Sequence, residues 1–217
     1  NPAYRSTFTA ELSFLVGWVD LKEGRLEAAK AKLKEIELLL PSAESSETMT
    51  GFYRLLNAEV LLAENLPEKA TEASGEIGRE NFINMTTPGL VQYNTPFLKD
   101  VLARAYVKKG DQNKAIAEYE RLTTFDPTTD DQFLIHPKYH YRLGLLYEQK
   151  GQKAKAAERY RKFLDLWKNA DPSRPELADA RKRYGALGSG TSALDVMKTV
   201  TDGIPKEVRA SFQEFTL

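Results

Sequence analysis

Residues 137–170 constrain the fold of this chain more than any other stretch. They carry two amphipathic helical patterns joined at a single glycine, Gly151. A small residue lies on each pattern, Gly144 on the first and Ala156 on the second, where the two helices would cross. Helices approach to about 8–10 Å only when the residues at their crossing are small. The stretch therefore predicts a tightly packed antiparallel pair of helices.

Three earlier segments follow the same template. Each has one small residue on its first helix and one on its second, at a similar spacing. One such pair cannot bury its apolar face alone, so neighbouring pairs must stack on each other. In chain order, the predicted crossing residues are Gly17 and Ala29, Ala58 and Ala70, and Ala103 and Ala115.

The predicted turns between paired helices fall at Gly24, Asn65, Gly110 and Gly151. Glycine suits the left-handed conformation that ends a helix, and asparagine is its most common substitute. Pro67 follows Asn65 closely and fits the first turn of a helix, where its missing N–H is harmless. These four residues therefore mark the register of the repeats.

The residues around these positions resemble the tetratricopeptide repeat. Leu143-Gly144 followed by Tyr147, and Ala156 followed by Tyr160, match the core of that pattern. The resemblance covers about residues 10–187 and implies an all-α, right-handed solenoid of four helix–turn–helix units with terminal helices. The expected units are 10–41, 51–80, 96–127 and 137–170, followed by a capping helix over 176–187.

The C-terminal residues do not follow the repeat. Residues 188–192 are predicted to be a linker, and 193–217 to form two short helices. Val208, Phe212 and Phe215 lie on one face of the second of these. The segment is interpreted in three ways: a native cap, a segment that docks in its own or a neighbour's groove, or a fused peptide.

In this family the first helices of successive units line a concave groove that binds ligands. The resemblance implies a protein–protein interaction module or scaffold that binds a peptide or helix there. Members that grip a C-terminal carboxylate use Lys, Asn and Arg at set places, whereas this chain has mostly apolar residues there. A hydrophobic peptide or helix is therefore the expected ligand. The groove is expected to contain Phe14, Trp18, Leu21, Phe52, Leu55, Glu59, Phe97, Asp100, Arg104, Lys108, Lys138, Tyr141 and Leu145.

A narrower resemblance concerns the end of the array. Residues 163–172, followed by 180–184, are similar to the closing repeat of arrays in bacterial signalling proteins. In those proteins the array follows a kinase, cyclase or DNA-binding domain. The alternative function is therefore a regulatory or sensor domain of a larger signalling enzyme or transcription regulator.

The residues needed for catalysis or metal binding are scarce. The chain has no cysteine. His136 and His140 are four residues apart, but a catalytic zinc site needs a third protein ligand. We expect a packing histidine at position 140 and a surface histidine at position 136. No catalytic residue, cofactor or metal is predicted.

Charge is balanced overall, with 31 basic and 31 acidic side chains, but it is unevenly distributed. Residues 42–80 hold eight acidic and three basic side chains, whereas residues 137–186 hold thirteen basic and six acidic ones. Glu158 and Asp165 interrupt the basic run, so a solvated helix face is favoured over a nucleic-acid surface. No apolar run reaches the roughly 18 residues of a membrane helix. A soluble protein with a protein or peptide partner is expected, with self-association possible and its compartment, cytoplasmic or periplasmic, left open.

Overall fold

The structure is a computed structural model that describes residues 2–40, 47–75, 100–124 and 135–188. All regular elements in these ranges are α-helices, which confirms the predicted all-α class. In chain order they are α1 (Pro2–Lys22), α2 (Leu26–Leu39), α3 (Glu47–Ala63), α4 (Pro67–Gly75), α5 (Val101–Lys109), α6 (Gln112–Thr123), α7 (Pro137–Gln149), α8 (Lys153–Leu166) and α9 (Pro175–Gly188).

The same turn joins α1 to α2, α3 to α4, α5 to α6 and α7 to α8. In each turn one residue has positive φ: Gly24 (76°), Asn65 (60°), Gly110 (82°) and Gly151 (70°). The amide after it donates to a carbonyl five residues back, as from Arg25 to Asp20 at 2.8 Å and from Gln152 to Tyr147 at 2.9 Å. These are the hydrogen bonds of the Schellman motif, which satisfies the last carbonyls of a helix. The turn positions predicted from the sequence are therefore confirmed.

The chain divides into two compact units, residues 1–136 and 137–217. Among the described residues, the first unit contains α1 to α6 and the second contains α7 to α9. In the first unit α1 packs against α2 and α3, and α5 packs against α4 and α6. In the second unit α8 packs against both α7 and α9.

Small residues allow these close approaches, as the template predicts. All eight predicted crossing residues are buried. The clearest case is Gly144 on α7, where an added Cβ would lie 2.6 Å from Cε1 of Tyr160 on α8. That distance is shorter than van der Waals contact, so α7 and α8 pack this closely only because residue 144 is glycine.

Two helix starts differ from the expected positions. α1 begins at Pro2 rather than near residue 10, and α3 begins at Glu47, inside the stretch expected to be a connector. Ala10, where the first unit was expected to begin, is buried in the core of that unit. Residues 81–95, which separate the expected second and third units, lie outside the described residues, as do most of the linker at 188–192 and all of 193–217.

Candidate peptide-binding groove

The residues predicted to line the groove fall into two groups by exposure. Phe97 lies outside the described residues. Phe14, Phe52, Leu55, Glu59 and Asp100 are buried. The accessible group, in which every side chain is at least partly exposed, consists of Trp18, Leu21, Arg104, Lys108, Lys138, Tyr141 and Leu145.

The buried aromatic residues hold α1 and α3 together. The rings of Phe14 and Phe52 are stacked with their centroids 5.2 Å apart. Leu55 belongs to the same buried cluster. Aromatic pairs of this kind stabilise a core beyond the area that they bury. These three side chains therefore act in packing and leave little surface for a ligand to contact.

Trp18 is one of two aromatic residues in the accessible group, the other being Tyr141. It is half-buried on α1, and the ammonium group of Lys22 lies 5.0 Å from its ring centroid. A cation over the face of an indole ring is attracted by the ring's electrons. Leu21 is also half-buried. This part of α1 therefore presents apolar surface beside a positive charge.

Arg104 on α5 joins two buried carboxylates. Its Nη1 donates to Glu59 on α3 at 3.1 Å, its Nη2 also donates to Glu59, and its Nε donates to Asp100 at 2.8 Å. The second oxygen of Asp100 accepts a 3.2 Å hydrogen bond from the hydroxyl of Tyr119. A buried carboxylate is tolerated only when it is paired in this way. Glu59 and Asp100 are thus engaged in contacts between helices rather than offered to a ligand.

Lys108 lies one turn after Arg104 on α5. Its ammonium donates a 2.7 Å hydrogen bond to the carbonyl of Leu62 near the end of α3. This position suits a cation, since the last carbonyls of a helix carry partial negative charge. Lys108 is exposed, so its positive charge is accessible to a partner.

In the second unit, two of the three predicted groove residues of α7, Lys138 and Tyr141, contact α9. Lys138 pairs with Glu176 at 2.6 Å, and the hydroxyl of Tyr141 donates to Asp179 at 2.7 Å. Arg183 on α9 pairs with Asp179 at 2.6 Å and with Glu148 on α7 at 3.0 Å. These contacts tie α9 to α7.

These contacts shift the pKa values of Tyr141 and Asp179. Burial, together with the hydrogen bond to Asp179, raises the pKa of Tyr141 to about 12. Burial opposes ionisation of Asp179, but hydrogen bonds from Tyr141 and Arg183 hold the pKa of this carboxyl below its usual value. Tyr141 is therefore a neutral donor and Asp179 an ionised acceptor near neutral pH, which is the arrangement their short hydrogen bond requires.

His140 lies in the interior of the second unit, as expected of a packing residue. It is 4% exposed, and its Nδ1 has no hydrogen-bond partner in the described part of the chain. Burial, together with the nearby cations Arg159 and Lys162, lowers the pKa of His140 to about 4. The imidazole is therefore neutral at physiological pH.

A metal site would need several ligands close together. Within the described ranges, no group of three or more His, Cys, Asp or Glu side chains is placed to hold a metal ion. His136 is half-buried. Asp130 and Asp131, the acidic residues nearest to the histidines in the sequence, lie outside the described residues.

Comparison with known families identifies the repeat. A family model described as the tetratricopeptide repeat matches residues 100–129 and 137–166. These two segments are tetratricopeptide repeats. The matched segments include the helix pairs α5–α6 and α7–α8. The narrower likeness of the closing repeat to bacterial signalling proteins stays a prediction.

Comparison with curated proteins adds nothing to this family match. No curated protein matches the chain significantly. None of the helices in the described ranges combines the length and apolar character needed to cross a membrane.

Several contacts of the second unit were not expected from the sequence. The indole ring of Trp167, just after α8, has Lys138 and Arg174 within 5.9 and 5.1 Å of its centroid. Asp179 and Arg183 are four residues apart on α9, a spacing that brings opposite charges together on a helix. The spacing of Asp179 and Arg183 could have been recognised in the sequence. Their partners on α7 could not, because they lie more than 30 residues away in the chain.

Proposed function

We propose that this chain is a protein–protein interaction module that binds a hydrophobic peptide or an amphipathic helix on the first helices of its repeats. Tetratricopeptide repeats generally mediate protein–protein interaction, and they are typically non-catalytic. The observation that carries the proposal is the accessible apolar surface of Trp18 and Leu21 beside the ammonium of Lys22.

The charges around this surface indicate the chemistry of the ligand. Arg104 pairs with both predicted groove carboxylates, Glu59 and Asp100, whereas Lys22 and Lys108 are exposed. The first unit therefore favours a ligand with apolar anchor residues and an acidic side chain near them. Such a ligand matches the helix-in-groove and peptide modes by which helical surfaces recognise their partners.

The proposal is tested by selecting peptides from a random library on the purified chain and measuring their affinity for variants. Trp18→Ala should weaken binding at least about tenfold, since buried aromatic anchors dominate interface energies. Lys108→Glu should weaken acidic ligands by a smaller factor and should have less effect on neutral ones.

Matched variants separate lost contacts from lost structure. Leu38→Ala removes an exposed apolar side chain from α2, a second helix of a pair, and should leave the affinity unchanged. In the second unit, Tyr141→Ala removes both the ring and its hydroxyl, whereas Tyr141→Phe removes only the hydrogen bond to Asp179. If the selected ligands bind the folded Trp18→Ala and Tyr141→Ala variants as tightly as the wild type, the proposed groove is wrong.

A further inference from the structure

The first helix exposes a continuous apolar stripe. Phe8, Leu12, Val16 and Val19 are 54, 52, 39 and 43% exposed, respectively. Their spacing of three and four residues places them on one face of α1. We call this set the α1 stripe. Trp18 lies on a different side of the helix, so the stripe is separate from the proposed peptide surface.

Later repeats show what normally covers such a face. With Gly17 aligned to its counterpart Ala58, the stripe residues Phe8, Leu12, Val16 and Val19 correspond to Met49, Tyr53, Asn57 and Val60. On α3, which packs against the preceding pair α1 and α2, Met49 and Val60 are buried and Tyr53 and Asn57 are half-buried. The stripe thus belongs to the surface that stacks on a preceding helix pair, and no such pair covers it in the described part of the chain. The comparison of α1 with α3 indicates that a helix would cover the stripe.

Charges at the two ends of the stripe identify which helix would fit. Arg5 on α1 and Glu23, the first residue after α1, both lie in line with the stripe and are exposed, and the residues of this face between them are uncharged. Arg5 lies nine residues before the midpoint of Leu12 and Val16, and Glu23 lies nine residues after it. A second α1 that crosses antiparallel at this midpoint would bring each Arg5 to the Glu23 of the other copy.

We propose that the α1 stripe is a self-association surface that pairs antiparallel with the α1 stripe of a second copy of this chain. The two-fold arrangement is self-complementary, as a symmetric dimer requires: apolar side chains meet at the centre and opposite charges meet at both ends. Within its own chain Glu23 pairs with Arg25. Both are more than half exposed, so the carboxylate remains accessible to Arg5 of the second copy.

The size of the stripe limits the strength of the dimer. Four partly exposed side chains provide apolar surface on the order of a few hundred Å² per copy. A standard stable interface buries roughly 800 Å² on each partner. The dimer is therefore weak, and its population rises with concentration in the micromolar range.

Sedimentation of the full chain from about 5 to about 500 µM tests the proposal over a range suited to small interfaces. The wild type should shift from monomer towards dimer as concentration rises. Leu12→Glu places one negative charge from each copy near the centre of the interface, so it should abolish the shift towards dimer. Leu38→Glu changes a 69% exposed residue on α2, outside the stripe, and should leave the shift intact.

A charge exchange tests the antiparallel register. Arg5→Glu and Glu23→Arg should each weaken the dimer by about threefold or more, because each places like charges at both ends of the interface. The variant with both substitutions restores the opposite charges and should recover most of the lost affinity. Failure of the double variant to recover would overturn the proposed pairing.

Other occupants of the stripe give different results. If another segment of the same chain or a different protein covers the stripe, the measured mass stays constant at all concentrations. That result overturns the proposal. Circular dichroism of Leu12→Glu distinguishes a lost interface from a lost fold. Trp18→Ala should leave self-association unchanged, so failure of the peptide proposal and failure of this one are distinguishable.

Discussion

The ring of Tyr160 on α8 lies directly against the backbone of Gly144 on α7, where a Cβ would come within 2.6 Å of Cε1. The hydroxyl of the same tyrosine donates a 2.7 Å hydrogen bond to Glu148, one turn further along α7. The ring is therefore held at both its edge and its tip, and it cannot move away to accommodate a larger residue at position 144.

Gly144→Ala should therefore destabilise the protein, although alanine is the better helix former. Overpacking of a filled core costs roughly 1–3 kcal/mol. Gly185→Ala is the matched control, because a Cβ there meets nothing within 4 Å on α9. That change should stabilise by about 0.5–1 kcal/mol, the usual difference between the two residues in a helix. Urea denaturation of both variants checks the prediction, and shifts of the same sign would contradict it.

Asn65 lies at a turn where the other three pairs have glycine, with φ at 60°. Asn65→Gly should be neutral or slightly stabilising, since glycine adopts positive φ without steric cost. Asn65→Ala should cost roughly 1–2 kcal/mol, because a Cβ is strained in this conformation and alanine lacks the polar side chain that tolerates it. Thermal unfolding of the two variants measures the difference. Equal stability of the alanine and glycine variants would show that the turn relaxes to negative φ.

His140 should make the stability of the second unit sensitive to acid. The pKa of His140 is about 4 in the folded protein, against an ordinary value of 6.5, so the unfolded chain binds a proton more readily. The histidine's contribution is fully present above about pH 6.5 and is lost as the pH falls towards 4. The full loss is roughly 3 kcal/mol. Denaturation midpoints between pH 7.5 and about pH 4.5 should show the decline.

Two variants assign this pH dependence to His140. His140→Phe keeps an aromatic ring but removes the titrating group, so it should reduce the slope of stability against pH in this range. His136→Gln removes the other histidine, so the slope that this variant retains measures the contribution of His140. An unaltered slope in His140→Phe would exclude the histidine as its cause.

Arg104→Met should be among the most destabilising changes in the first unit. It leaves Glu59 and Asp100 buried without their cation, and breaking such a pair costs roughly 3–5 kcal/mol. Arg121→Met is the matched control, since Arg121 pairs with Glu118 on the same helix in a more exposed setting. That change should cost at most about 1 kcal/mol. Similar losses in the two variants, measured by urea denaturation, would show that the Arg104 pairs contribute no more than a surface pair.

Predictions that depended on local sequence were the most successful. Positive φ at Gly24, Gly110 and Gly151 follows from the residue type, because only glycine enters this region freely. Asn65 was recognised from its place in the repeat and its neighbour Pro67. The crossing at Gly144 and Ala156 also followed from the sequence, since a close approach of helices demands small residues at a fixed spacing.

The candidate groove was less predictable. Helical periodicity placed Phe14 and Trp18 on the same side of α1, but it could not tell that Phe14 stacks on Phe52 while Trp18 keeps an accessible face. Nor could it tell that Asp100 and Glu59 share Arg104, because Glu59 and Arg104 are 45 residues apart in the chain. The pattern gave the side of the helix, and the neighbouring helix decided the exposure.

The sequence by itself determined the helices, their turns and the tetratricopeptide register, since these depend on backbone preferences and on short-range spacing. Only the tertiary structure decided which predicted groove residues are accessible and which carboxylates are paired. It also decided that, among the described residues, no helix pair covers the apolar stripe of α1 in the way that α1 and α2 cover α3. Burial and charge pairing depend on residues that are distant in the chain and become neighbours only when the helices stack.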